Sequence, residues 1–176
     1  MFIYLAQAID LSKNSPDTDT IVNDVCEMAG KLGCITFLPA KAYSFWPEEV
    51  KTVAGYKPVI EQLIGLNYTA LARSDLAVFV WDGSPTWGMQ LEFQFVVERK
   101  KSYVFLDLSD GPTPIYLSSL LKLSTLMAAN TEVPHKNLST ILGRMVRRVE
   151  SQPAWRKIKI YYYLGRIRDE NTCKEN

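Results

Sequence analysis

The chain has 176 residues, of which 47% are hydrophobic, and a net charge of +1. This length suits one compact domain with a genuine core and excludes global disorder. No apolar run approaches the roughly 20 residues needed to cross a bilayer, and Phe2-Ile3-Tyr4-Leu5-Ala6, with no basic region ahead of it and Asp10 soon after, reads as a first strand rather than a signal peptide, which points to the cytoplasm.

Residues 2–8 read as a buried strand, and 9–18, with Ser12, Asn14, Ser15, Pro16 and Asp17, as a loop. Asp17 or Thr18 caps a helix running to Lys31, with Ile21, Val22, Val25, Cys26, Met28 and Ala29 on its apolar side. Gly33 ends it, and Cys34 to Leu38 form a second strand stopped by Pro39. Residues 39–57 read as a long mixed loop carrying Tyr43, Phe45, Trp46 and Tyr56, rings that either face a ligand or cover the core edge. A helix follows from Pro58 to Arg73, with Val59, Ile60, Leu63, Ile64, Asn67, Leu71 and Ala72 near one side. Leu76 to Trp81 is the third strand, 87–99 a helix, and Tyr103 to Leu108 the fourth strand. A short helix near 115–122, a fifth strand at 123–128 and an amphipathic helix from Asn137 to Val149 come next. Residues 158–164 fit either an extra strand or a docking helix.

This alternation predicts an α/β fold, a flavodoxin-like three-layer sandwich with a parallel sheet of about five strands. Residues 1–150 form the domain, and 151–176 a basic, aromatic extension packed on it or at an oligomer interface. There is neither a GxGxxG nor a GxxxxGK[ST] stretch, so dinucleotide and P-loop readings lose support. Cys26, Cys34 and Cys173 form no CxxC pair and His135 is the only histidine, so neither a metal site nor a Ser-His-Asp triad is expected, and no cofactor is implied. Residues 144–168 hold eight basic residues against Glu150 alone. We read them as a solvated helix face plus an oligomer contact; contact with phosphates or nucleic acid is the alternative.

The most informative stretch runs from Val78 through Asp82-Gly83 to Glu92. A strand that turns into a helix places the turn at the carboxyl edge of the sheet, where open α/β sheets bind ligands. Asp82 and Glu92 are then aimed at one crevice. Glu92 also interrupts the apolar face of Met89, Phe93, Val96 and Val97. The plainer readings are that Asp82-Gly83 is only a turn and Glu92 only a partly exposed helix residue.

Tyr4-Leu5-Ala6 in the first strand, Asn67 before Leu71 and Ser74-Asp75, Asp82-Gly83 ending the third strand, Gly88-Met89-Gln90-Leu91-Glu92 opening a helix, and Lys101 ahead of the fourth strand resemble, in order and spacing, the nucleoside 2-deoxyribosyltransferase family and its relatives, the deoxynucleoside 5′-monophosphate N-glycosidases. The resemblance covers roughly residues 1–108. It implies that Glu92 is the nucleophile attacking the anomeric carbon, that the Tyr4 hydroxyl orients it, and that Asp82 lies near the nucleobase. Asn67 falls where the family usually has an aspartate, and Thr86 where many members carry another. Gln7-Ala8 replaces the Gly-rich continuation of the first strand.

Breaking an N-glycosidic bond builds positive charge on the sugar, which a carboxylate stabilises and captures; water or a second base then takes the sugar from the same face. Asp82 is the candidate to protonate the leaving base. Gln7 and Asn67 are candidates to hydrogen-bond base or sugar, and Tyr43, Phe45 and Trp46 to stack on the base. Ser84, Thr86, Gly88 and Met89, at the start of the Glu92 helix, are candidates to bind the substrate, with free N–H groups for a 5′-phosphate. The expected partners are a nucleoside or nucleotide and further copies of the chain, with no membrane. A non-catalytic nucleotide-binding or sensing module on the same fold is the alternative, motivated by Asn67 and Thr86.

Overall fold

A computed structural model describes residues 1–7, 16–44, 56–84, 87–109, 116, 119, 138–151 and 159–163. The elements are β1 (Phe2–Gln7), α1 (Pro16–Lys31), β2 (Ile35–Phe37), α2 (Pro39–Ser44), α3 (Tyr56–Arg73), β3 (Leu76–Trp81), α4 (Trp87–Glu98), β4 (Tyr103–Asp107), α5 (Leu138–Ser151) and β5 (Lys159–Tyr163). They build an α/β fold. The body of the sheet is β2-β1-β3-β4, and β5 joins beyond β4. Every pairing is parallel.

Burial explains the strand sequences. All six residues of β3 and all five of β4 are buried, because both faces of a central parallel strand are covered. β2 is a three-residue edge strand with Ile35 exposed, and short edges limit unwanted pairing. The pleat divides the core in two. Ile3, Leu5, Val78, Val80, Val104 and Leu106 meet Ile21, Val22 and Val25 of α1 and Leu142 and Val146 of α5. Tyr4, Ala6, Phe79 and Phe105 meet Ala70 and Leu71 of α3 and Met89, Phe93 and Val96 of α4.

Two of the helices that lead directly into strands, α1 and α4, end in the same way. Gly33, at φ 71°, closes α1 with Cys34 N–H donating to Ala29 and Gly33 N–H to Gly30. Lys100, at φ 52°, closes α4 with Lys101 N–H donating to Val96 and Lys100 N–H to Val97. These paired bonds satisfy the orphan carbonyls of a helix end and require a left-handed residue, usually glycine.

Several expectations are corrected. Pro39–Ser44 is a helix, not the start of a loop, because proline suits a first helical position, where its missing N–H costs nothing. The same tolerance lets α1 begin at Pro16 and α3 begin two residues before Pro58. On α3, Ile64 and Ala72 face solvent while Asn67 is buried. Of the two readings left open for 158–164, the strand is the one found, over Lys159–Tyr163 beside β4; 123–128 lie outside the described residues. Of the short helix expected at 115–122, Tyr116 and Ser119 are described and helical. Among the described residues no helix is long and apolar enough to cross a membrane.

Candidate active site

The site is built where α3 and α4 lie side by side on one face of β1. Met89, Phe93 and Val96, each about one turn after the last, turn one side of α4 into the core. Phe93 fixes that orientation, meeting Phe79, Tyr103 and Phe105 at centroid distances of 5.1 Å each, with its edge or its face. Glu92, one residue earlier, is carried towards α3. There the buried Asn67 donates from Nδ2 to Glu92 Oε1 at 3.1 Å. Tyr4 lies fully buried on β1, its ring stacked on Phe37 at 5.7 Å.

Glu92 as a residue is only half-buried, yet its carboxyl is shielded enough that burial pushes its pKa up from 4.5 to about 7, against the opposing pull of hydrogen bonding from Tyr4 and Asn67. The phenol of Tyr4 is pushed well above the ordinary tyrosine range, first by burial and then by the charge of Glu92. Tyr68, next to Asn67, is raised by burial and again by Glu92. A carboxylate, two phenols and an amide therefore form one electrostatic unit in which the negative charge is disfavoured by desolvation and favoured by donors.

Among the described residues, three buried side-chain polar atoms have no hydrogen-bond partner of ordinary geometry: Tyr4 Oη, Asn67 Oδ1 and Gln7 Oε1. The Tyr4 hydroxyl is thus beside the carboxylate without closing a full hydrogen bond to it. Two of the three orphans flank Glu92. Such atoms cost about 1–3 kcal/mol each and are uncommon away from sites that bind or react. The third belongs to the other face: along β1 the pleat places Gln7 with Ile3 and Leu5, opposite Tyr4.

Asp82 has a turn-forming role. Its Oδ1 accepts from Ser84 N–H at 2.9 Å, and Trp81 Nε1 donates to the Ser84 carbonyl at 3.0 Å. Gly83 takes φ 94°, and a side chain there would bring a Cβ within 3.1 Å of Ser109 Cβ. The Ser84 N–H is therefore engaged by Asp82 and is not free for a phosphate. Met89, expected at the substrate, is 5% exposed and belongs to the core. Gly88 is exposed in the first turn of α4. Thr86, Phe45 and Trp46 lie outside the described residues, as does the side chain of Tyr43.

Asp107 escaped the sequence reading. It is fully buried at the carboxyl end of β4, its Oδ1 accepting from Ser109 N–H at 2.9 Å and Ser109 Oγ at 2.6 Å. It pairs in register with Trp81, the residue before Asp82. The signal was present: an acid ends an apolar strand in Leu106-Asp107 as it follows one in Trp81-Asp82. Among the described residues, no group of three or more His, Cys, Asp or Glu is placed to hold a metal. No family model matches the sequence, and no curated protein matches it significantly.

Proposed function

We propose that the protein is a nucleoside 2-deoxyribosyltransferase-like enzyme that cleaves or transfers the N-glycosidic bond of a (deoxy)nucleoside or nucleoside 5′-monophosphate. The observation that carries this reading is the placing of Glu92 between the Tyr4 phenol and the Asn67 amide. Glu92 attacks the anomeric carbon, the bond to the base breaks, and a glycosyl ester forms; water or an acceptor base then takes the sugar with net retention. Asn67 holds the carboxylate through one amide hydrogen. The fully buried Tyr4 hydroxyl, beside the carboxylate, orients it from the sheet side. The strand order 2-1-3-4-5 supports a flavodoxin-like sandwich, in which ligands sit at the carboxyl edge.

Self-association is part of the proposal. Trp87, Leu91, Ile64 and Leu66 are large apolar residues left exposed on α3 and α4, Trp87 by 80%. Incubation with deoxynucleosides and their monophosphates should release free base, and Glu92→Ala should abolish release; undiminished turnover in that variant refutes the assignment. One observation favours a non-catalytic nucleotide sensor instead. Asp82 Oδ1 is engaged by its own turn, which ties one oxygen of the candidate acid to Ser84 rather than to a leaving base. That reading predicts thermal stabilisation by nucleotides without product.

A further inference from the structure

A concavity lies where α3 and α4 end. It has a volume of about 570 Å³ and is lined by Tyr68, Thr69, Ala72, Arg73, Phe95, Arg99 and Lys101. Three of these seven side chains are cationic and none is acidic. Arg73 and Arg99 are exposed, and among the described residues neither pairs with a carboxylate. The Arg99 guanidinium lies over the Phe95 ring at 5.4 Å from its centroid, and Phe95 meets Tyr68 at 5.1 Å. Lys101 is held in place by donating to the Ala72 carbonyl at 3.0 Å, which caps the end of α3.

These features select a ligand. Like charges gathered around one hollow repel unless an anion enters, and guanidinium forks match phosphate oxygens better than ammonium groups do. The aromatic wall of Tyr68 and Phe95 offers a face to a flat, apolar group. The volume falls in the range of small-molecule sites and exceeds what a lone phosphate fills. We propose that this groove binds a mononucleotide, its phosphate between Arg73 and Arg99 and its base against Tyr68 and Phe95. The site is separate from the glycosidic chemistry and does not depend on it. It is nevertheless joined to it through Tyr68, which lines the groove and feels the charge of Glu92.

The test is titration calorimetry of the full chain with dAMP, with inorganic pyrophosphate, and with a short single-stranded oligonucleotide. In Glu92→Gln, which cannot turn the ligand over, dAMP should bind saturably, and the arginine and Thr69 variants are compared in that background. Because each charge-assisted bond contributes about 1.5–3 kcal/mol, Arg73→Ala with Arg99→Ala should weaken binding by at least about tenfold. Thr69→Glu, which sets a negative charge in the groove on an exposed position, should abolish it without touching an arginine. Pyrophosphate should compete weakly. The proposal is overturned by no saturable dAMP binding, by binding that the arginine and Thr69 variants leave unchanged, or by affinity confined to the oligonucleotide.

Discussion

Asn67 and Glu92, 25 residues apart, are joined by an amide-to-carboxylate hydrogen bond of 3.1 Å that bridges α3 and α4. It crosses from one helix to the other and favours the ionised form of the candidate nucleophile. An amide donor stabilises the carboxylate without being able to surrender a proton to it. Burial, working in the opposite direction, is the larger influence.

The pH dependence follows from that balance. The Glu92 carboxyl is raised from 4.5 to about 7, so between those values the folded chain keeps a proton that the unfolded chain has lost. Stability therefore declines as pH rises through this window and is level above it. Glu92→Gln, which cannot ionise, should gain on wild type across the same window by up to about 3 kcal/mol. Urea midpoints at pH 4.5, 6 and 8 measure this; a difference that does not change with pH means that the carboxyl titrates normally. Base release, which needs the ionised form, should rise with pH through about 7.

Removing the amide donor should raise the Glu92 pKa further. Asn67→Ala is expected to shift the pH–rate profile upward and slow turnover at pH 7 by about 10–100-fold, the value of a hydrogen bond to a charged group. Asn67→Asp, placing a second acid against the first, should give two coupled titrations in place of one. Carboxyl chemical shifts followed by NMR over pH 4–9 check both variants even without an activity assay.

Tyr4→Phe separates stability from function. The hydroxyl has no partner of ordinary geometry and the ring keeps its stack on Phe37. Loss of an unsatisfied buried hydroxyl should leave stability unchanged or raise it by about 1 kcal/mol, while activity falls. Thermal unfolding and base release on the same preparation decide it. A variant destabilised with activity intact would show that the phenol is structural.

Two left-handed residues give opposite expectations. Gly83→Ala meets both an unfavourable φ of 94° and the Ser109 Cβ at 3.1 Å, and should destabilise by about 1–3 kcal/mol. Lys100→Gly, at φ 52°, relieves strain and should stabilise by a fraction of a kcal/mol to about 1 kcal/mol. Denaturant midpoints of the two variants measure both.

Much of the site was legible residue by residue. Glu92 stood out because it interrupts an apolar helical face, and that interruption is what carries it towards α3. Asn67 was placed near the apolar side of its helix and is buried there. Ile64, assigned to the same side, is exposed, because a stripe on α3 is wider than the strip that α4 and the sheet cover. Met89 illustrates the converse. Proximity to Glu92 in sequence suggested a substrate contact, but Met89 keeps step with Phe93 and Val96, four and seven residues on, and is buried with them in the core. Asp107 was missed because a single acid at a strand end has no periodicity to betray it.

The amino-acid sequence by itself determined the alternation of strands and helices, the apolar faces that bury them, and the presence of a carboxylate where hydrophobic packing has no use for one. These are local properties, set by spacing along the chain and by side-chain chemistry. Only the tertiary structure decided that Asn67 and Tyr4 converge on that carboxylate, that Asp82 is turned inward to its own turn, and that residues 159–163 complete a row of parallel strands. Those outcomes depend on which helix face meets which strand. Desolvation, which raises the Glu92 pKa, arises only when distant segments close around it.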